Sequence, residues 1–172
     1  MRVKKDVPVL GFAAYSGTGK TTLLLKLIPM LRQSGLRIAL IKHAHHDFDI
    51  DKPGKDSYEL RKAGANQVLV ASAQRLAYIR ESDRTGDPRL NDLIDTLDLK
   101  QVDLVLVEGF RHVPFPKIEL HRPALKHDLI FHDDSSVIAV ATDGTIDTAG
   151  LPRLDINRPD QVMRFIVDWM NA

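Results

Sequence analysis

The chain has 172 residues, 44% hydrophobic and 27% charged, with no cysteine. This is an ordinary globular composition, and it excludes wholesale disorder, a disulfide framework, a thiolate zinc site and an iron–sulfur cluster. With 24 Lys+Arg against 23 Asp+Glu the formal charge is +1, so the basic footprint of a duplex-DNA or anionic-membrane binder is missing.

After a basic start at Arg2–Asp6, Val7–Ala14 reads as a buried strand. It is too short for a signal-peptide core, and no apolar run approaches the ~20 residues of a membrane span, so a cytoplasmic protein is expected. Leu23, Leu24, Leu27, Ile28 and Leu31 form one apolar stripe, predicting a helix from Lys20 to about Gln33 that Pro29 should kink or shorten. A second strand spans 37–43, followed by a polar stretch from Ala44 to Lys55. Asp56 and Glu59 then have the spacing of a capping box, and Gly64 is placed to end that short helix.

Segments 66–72 and 75–81 read as a hairpin, and Pro88 should open a helix with Leu90, Leu93, Ile94 and Leu97 on one face. Further strands are expected at 102–107, 117–122, 137–141 and 151–156. Asn157 is placed to cap a last helix that buries Val162, Phe165, Ile166 and Trp169. Strands alternating with helices indicate an α/β fold, a three-layer sandwich with a mixed, mainly parallel sheet, and the Gly-rich turn between the first strand and the helix at Lys20 makes the expected fold P-loop NTPase-like. Antiparallel extensions are expected near 66–81 and 117–141. The length suits a single nucleotide-binding domain over 1–172, whose extra β elements at about 66–82 and 116–122 offer a dimerisation arm.

Ala14-Tyr-Ser-Gly-Thr-Gly-Lys-Thr21 matches the phosphate-loop pattern except at its first position, where Ala14 replaces Gly. The chemistry needs a strand that stops, a Gly-rich turn and a helix N-terminus. Gly17 and Gly19 let successive N–H groups curl inward, so Ser16, Gly17, Thr18 and Gly19 surround the phosphates. Lys20 should reach the β- and γ-phosphates, the Thr21 hydroxyl should ligate Mg²⁺, and Thr22 adds a hydroxyl at the α-phosphate.

An acidic residue ending a buried strand beside the loop completes such a site. Glu108 fits, whereas Asp103 lies at the strand's opposite end. The loop with His45, His46, Asp47, Asp49 and Asp51 follows the second strand, where an open α/β sheet receives its ligand. Three readings stay open for it: magnesium or water positioning, with Asp47 the catalytic candidate, a solvated loop, or a separate metal site with His43. Lys55, Asp56 and Ser57 suggest a second anion-binding corner, equally well explained as a helix cap. The guanine motif of common GTPases is missing, and Asp143 is a candidate base reader or simply a turn residue.

Gly11–Thr22, Ile41-Lys-His-Ala-His-His-Asp47, Asp51–Gly64 and Val107-Glu-Gly-Phe110 closely resemble the MobB family, the molybdopterin-guanine dinucleotide biosynthesis adapter proteins of bacteria. The likeness runs in order through Ala139–Asp143 to the Trp169 helix. It implies a homodimeric GTP-binding protein with weak GTPase activity. The implied partner is the guanylyltransferase (MobA) that joins GMP to molybdopterin, with molybdopterin itself a further candidate ligand. By position, Gly17–Thr22 would hold the phosphates, Thr21 with Glu108 the Mg²⁺, and Lys52–Ser57 a second patch near the nucleotide. A small-molecule kinase is the alternative, but Arg75, Arg80, Arg84 and Arg89, its only lid candidates, share no clear face.

Overall fold

A computed structural model describes residues 7–44, 48–82 and 86–172. The chain divides into two compact units, Met1–His43 with Arg89–Ala172, and Ala44–Pro88. In chain order the elements are β1 (Val9–Ala13), α1 (Lys20–Gln33), β2 (Ile38–Lys42), α2 (Asp56–Lys62), β3 (Gln67–Ala71) and β4 (Leu76–Arg80). Then follow α3 (Leu90–Ile94), β5 (Leu104–Glu108), β6 (Lys117–His121), β7 (Val137–Thr142), β8 (Arg153–Asp155) and α4 (Pro159–Asn171).

In the first unit, six strands form a sheet ordered β2-β5-β1-β6-β7-β8, and every pairing is parallel. Its central strands are apolar on both faces, as a parallel sheet covered on both sides requires. Leu10, Phe12, Leu104, Leu106, Ile118 and Leu120 face a core shared with Leu27 of α1 and Ile166 of α4. On the other face, Ile41, Val105 and Val107 meet Leu90 of α3 and Phe110, while Ala13 and Val140 meet Ile130 and Phe131. The result is the expected three-layer P-loop NTPase-like sandwich.

Close packing leaves no room for a side chain at Gly11, where a Cβ would lie 2.7 Å from the Phe115 ring. Beside it, the buried Lys117 ammonium donates to Asp134 Oδ2 at 2.6 Å and Ser136 Oγ at 2.7 Å. Burial pushes the Asp134 carboxyl up, but the hydrogen bonds it accepts from Lys117 and from the Ser136 hydroxyl and N–H win and hold it below the usual carboxylate range.

Five expectations are corrected. The pair near 117–141 is parallel: β6 and β7 are joined through short 3₁₀ turns at Pro123–Leu125 and Ile130–His132, a connection long enough to cross over. Pro29 does not end α1, because it lies on the exposed face, where the carbonyl it leaves unpaired meets water. The caps of α2 and α4 fall on Lys55 and Arg158 rather than Asp56 and Asn157, neither with a side-chain cap. Pro88 precedes α3, which is capped by Arg89 in an extended conformation.

The second unit holds α2 and the antiparallel pair β3–β4, with Leu69 opposite Tyr78. Gly64, at φ +116°, stops α2 as expected. Glu59 reaches back past the cap to accept from the Gly54 N–H at 3.0 Å, so the anticipated capping box between Asp56 and Glu59 does not form. Arg61 ties the unit together: Nη2 donates to Asp49 Oδ1 at 2.6 Å and Asp51 Oδ1 at 2.7 Å, and Nη1 to Glu81 Oε1 at 2.7 Å. No helix among the described residues is long and apolar enough to cross a membrane.

Candidate nucleotide site

β1 delivers the chain to the carboxyl edge of the sheet, where Gly17 at φ +81° and Gly19 at φ +98° turn it into α1. Only glycine takes this left-handed backbone without strain. The first helical bond runs from Leu23 N–H to Gly19 O at 2.9 Å, which leaves the N–H groups of Lys20, Thr21 and Thr22 without helical partners. No side chain caps this end and no acidic residue occupies its first turn. Uncapped N–H groups at the positive end of a fourteen-residue helix make an anion cradle.

The loop is braced from within and from β6. Thr18, 2% exposed, spends its hydroxyl on Tyr15 O at 2.9 Å, and its own N–H points at the same carbonyl at 3.4 Å. Arg122, immediately after β6, donates Nε–H to Thr18 O at 2.9 Å and Nη2–H to Asn157 Oδ1 at 3.2 Å, while Nη1 pairs with Asp143. The Tyr15 ring stacks on His127 with centroids 4.5 Å apart, and the Arg111 guanidinium lies 4.7 Å from its centre. Behind the loop Glu119, level with Ala13, accepts from Ile130 N–H at 2.8 Å and Phe131 N–H at 2.9 Å. Burial raises its pKa against those two bonds.

Glu108 ends β5 level with Phe12 of β1 and Lys42 of β2. Its carboxylate lies 3.8 Å from Lys20 Nζ and 3.9 Å from Lys42 Nζ, with 14% of the side chain exposed. A Cβ at Gly109 would lie 2.6 Å from that of His43, whose ring stacks on Phe110 at 4.9 Å. Only a glycine lets β5 turn away there. Asp103 lies at the far end of β5 and pairs with Arg37 at 2.8 Å.

Ser16–Thr22 and Glu108 therefore come together, with Asp143 linked to the loop through Arg122. Lys55, Asp56 and Ser57 belong to the second unit, where with Leu60 and Val68–Ala71 they line an open concavity of about 650 Å³. Asp47, with His45 and His46, lies outside the described residues. Asp49 and Asp51 are taken up by Arg61, and no cluster of three metal-ligating side chains occurs among the described residues. Reading the sequence missed Arg122 and Lys42. Each is a basic residue at the carboxyl end of a strand that flanks the loop-bearing or acidic strand, a neighbourhood set by the strand order and not by sequence adjacency.

A Gly-rich loop between a buried strand and a helix, with an acidic strand end beside its lysine, defines a P-loop NTPase-like α/β protein. Residues 9–143 match MobB, described as Molybdopterin guanine dinucleotide synthesis protein B. The Molybdopterin-guanine dinucleotide biosynthesis adapter protein of Escherichia coli (strain K12) is 50% identical, over 99% of this chain and 97% of that protein. The protein of the same name from Haemophilus influenzae is 42% identical, over 98% and 93%. A crystal structure of molybdopterin-guanine biosynthesis protein B (mobB) superposes with a TM-score of 0.73 at 27% identity, over 94% and 99% of the two chains. The chain belongs to the MobB family.

Proposed function

We propose that this protein is a cytoplasmic GTP-binding adapter in molybdopterin guanine dinucleotide synthesis, with weak GTPase activity, assisting the MobA-like guanylyltransferase that attaches GMP to molybdopterin. The uncapped N-terminus of α1 beside Lys20 and Glu108 carries this reading. The names of the full-length relatives supply the pathway.

The backbone N–H groups of Ser16–Thr22 hold phosphate oxygens, and Lys20 turns from Glu108 to the β- and γ-phosphates. A hydroxyl and a carboxylate are hard oxygen donors of the kind Mg²⁺ selects, so Thr21 and Glu108 are its proposed ligands. When bound, the ion offsets charge on the phosphate oxygens. Asp47 is assigned to orienting the attacking water, Asp143 to the base side, and Lys55–Ser57 to a second anion contact.

A homodimer is part of the proposal. A two-stranded ribbon is marginal alone in water, and this one exposes Leu69, Leu76 and Tyr78 at 60%, 64% and 46%. A second copy, or the transferase with its molybdopterin, would cover it; a monomer by light scattering at working concentration would remove the dimer.

Calorimetry with non-hydrolysable GTP and ATP analogues, with and without Mg²⁺, tests the core of the reading. Mg²⁺-dependent binding that prefers the GTP analogue, and falls about a hundredfold in Lys20→Ala, is expected. Unchanged affinity in Lys20→Ala would overturn the phosphate-loop assignment.

A further inference from the structure

The phosphate loop has a polarity. Going from Gly17 to Thr22, it follows the phosphate chain from its free end towards the α-phosphate, so whatever the phosphates carry must leave past Thr22. A hollow of about 100 Å³ opens there, bordered by Thr22, Lys26, Arg122, Ile156, Asn157 and Pro159. A whole nucleotide needs more, since small-molecule sites run to about 300–1,000 Å³. The hollow is sized for one face or edge of a base, with the rest in solvent.

Its two polar walls have a defined chemistry. All three guanidinium nitrogens of Arg122 are engaged, by Thr18 O, Asp143 and Asn157 Oδ1. Those bonds fix the plane of the group and leave its flat face for stacking, which arginine does well on aromatic rings. The side chain keeps 29% exposure. Asn157 is exposed, and its amide oxygen already accepts from Arg122 at 3.2 Å. With that oxygen turned to Arg122, the amide presents its two Nδ2–H donors as the side chain's donating edge. Donors suit a keto oxygen at purine position 6 and meet an amino group there donor to donor.

We propose that this hollow is the nucleoside subsite of the phosphate loop. In it Arg122 is the stacking plate, Asn157 selects a 6-keto purine over a 6-amino purine, and Asp143 acts by positioning Arg122 rather than by reading the base. The inference rests on the phosphate-loop reading above.

Inorganic tripolyphosphate with Mg²⁺ probes the loop without a nucleoside, so its calorimetric titration beside those of GTP and ATP separates the two claims. Wild type should bind GTP about tenfold more tightly than tripolyphosphate, the size of one base stacked on a side chain. Asn157→Ala should bring the GTP-to-ATP affinity ratio close to one while tripolyphosphate affinity stays within about twofold. Asn157→Trp, which fills the hollow from an exposed position, should weaken GTP and ATP alike and again spare tripolyphosphate. Wild-type affinity for GTP and ATP in both folded variants, with tripolyphosphate still bound, would overturn the subsite alone. Failure of the wild type to bind either tripolyphosphate or GTP would overturn the loop reading and the subsite with it.

Discussion

The unit of the six-stranded sheet buries Leu10, Leu27, Leu104, Val105, Leu106 and Ile118 to zero exposure, whereas in Ala44–Pro88 the residue buried among those described is Arg61. The first is held by apolar area, with each fully buried side chain contributing about 1.5–3 kcal/mol without regard to direction, pH or salt. The second, too small to enclose a core, is held by a guanidinium shared among Asp49, Asp51 and Glu81. Such a bond set is directional and responds to screening. One protein thus carries a rigid frame under its phosphate loop and a charge-held appendage whose apolar residues point outwards.

A leucine deletion in each unit is the sharpest way to break this contrast. Leu27→Ala empties a site with zero exposure and should cost about 3 kcal/mol in urea unfolding. Leu60→Ala in α2 removes a side chain that is 62% exposed and should stay within about 0.5 kcal/mol. Equal losses would mean that the second unit has an apolar core after all.

Comparable in size is the loss at the charge pair inside the apolar unit. Asp134→Ala strands the Lys117 ammonium, whose side chain is 1% exposed, and breaking a buried pair in this way costs about 3 kcal/mol. The pH dependence has a sign. Asp134 titrates below its ordinary value when folded, so its contribution is complete above the unfolded pKa of about 3.9 and is lost as pH falls through the depressed folded value. Acid unfolding should therefore be steeper in the wild type than in the variant, where this carboxyl no longer takes up a proton; parallel acid transitions would contradict the pairing.

What could be read from the sequence, and what could not, follows the range of the interaction. The phosphate loop, the β5 run ending in Glu108, and the α1 and α4 stripes are local patterns, and each stands where its pattern predicts. The hairpin at 66–81 also carries a local signal, two strand-like runs with a short break. Parallel pairing of β6 with β7 has no such signature, because strand direction is set by the length and packing of what lies between. Arg122 was invisible as part of the site because its partners, Thr18, Asp143 and Asn157, come from three separate segments. Pro29 misled for the opposite reason: a local rule yielded to its exposed position and to the leucines anchoring either side of it.

The smallest expected effect on global stability, and the most local one, comes from Arg61. Arg61→Ala should leave the cooperative unfolding of the sheet unit almost in place, since the residue belongs to the other unit. Amide hydrogen exchange should instead speed up several-fold in α2 and in the β3–β4 pair, while β1, β5 and β6 keep their protection. Arg61→Lys should recover only part of this, because a point charge cannot reproduce a fork that bonds three carboxylates at once. Acid should mimic the variant in the wild type. The hydrogen bonds from Arg61, ahead of the opposing push of burial, hold the Asp51 carboxyl below its ordinary value, so its contribution persists above the unfolded pKa and disappears as pH falls through the folded one. Salt should act in the same direction. Exchange rising uniformly over both units, in the variant or on acidification, would mean that Arg61 supports the whole fold, and the division between an apolar frame and a charge-held appendage would fail.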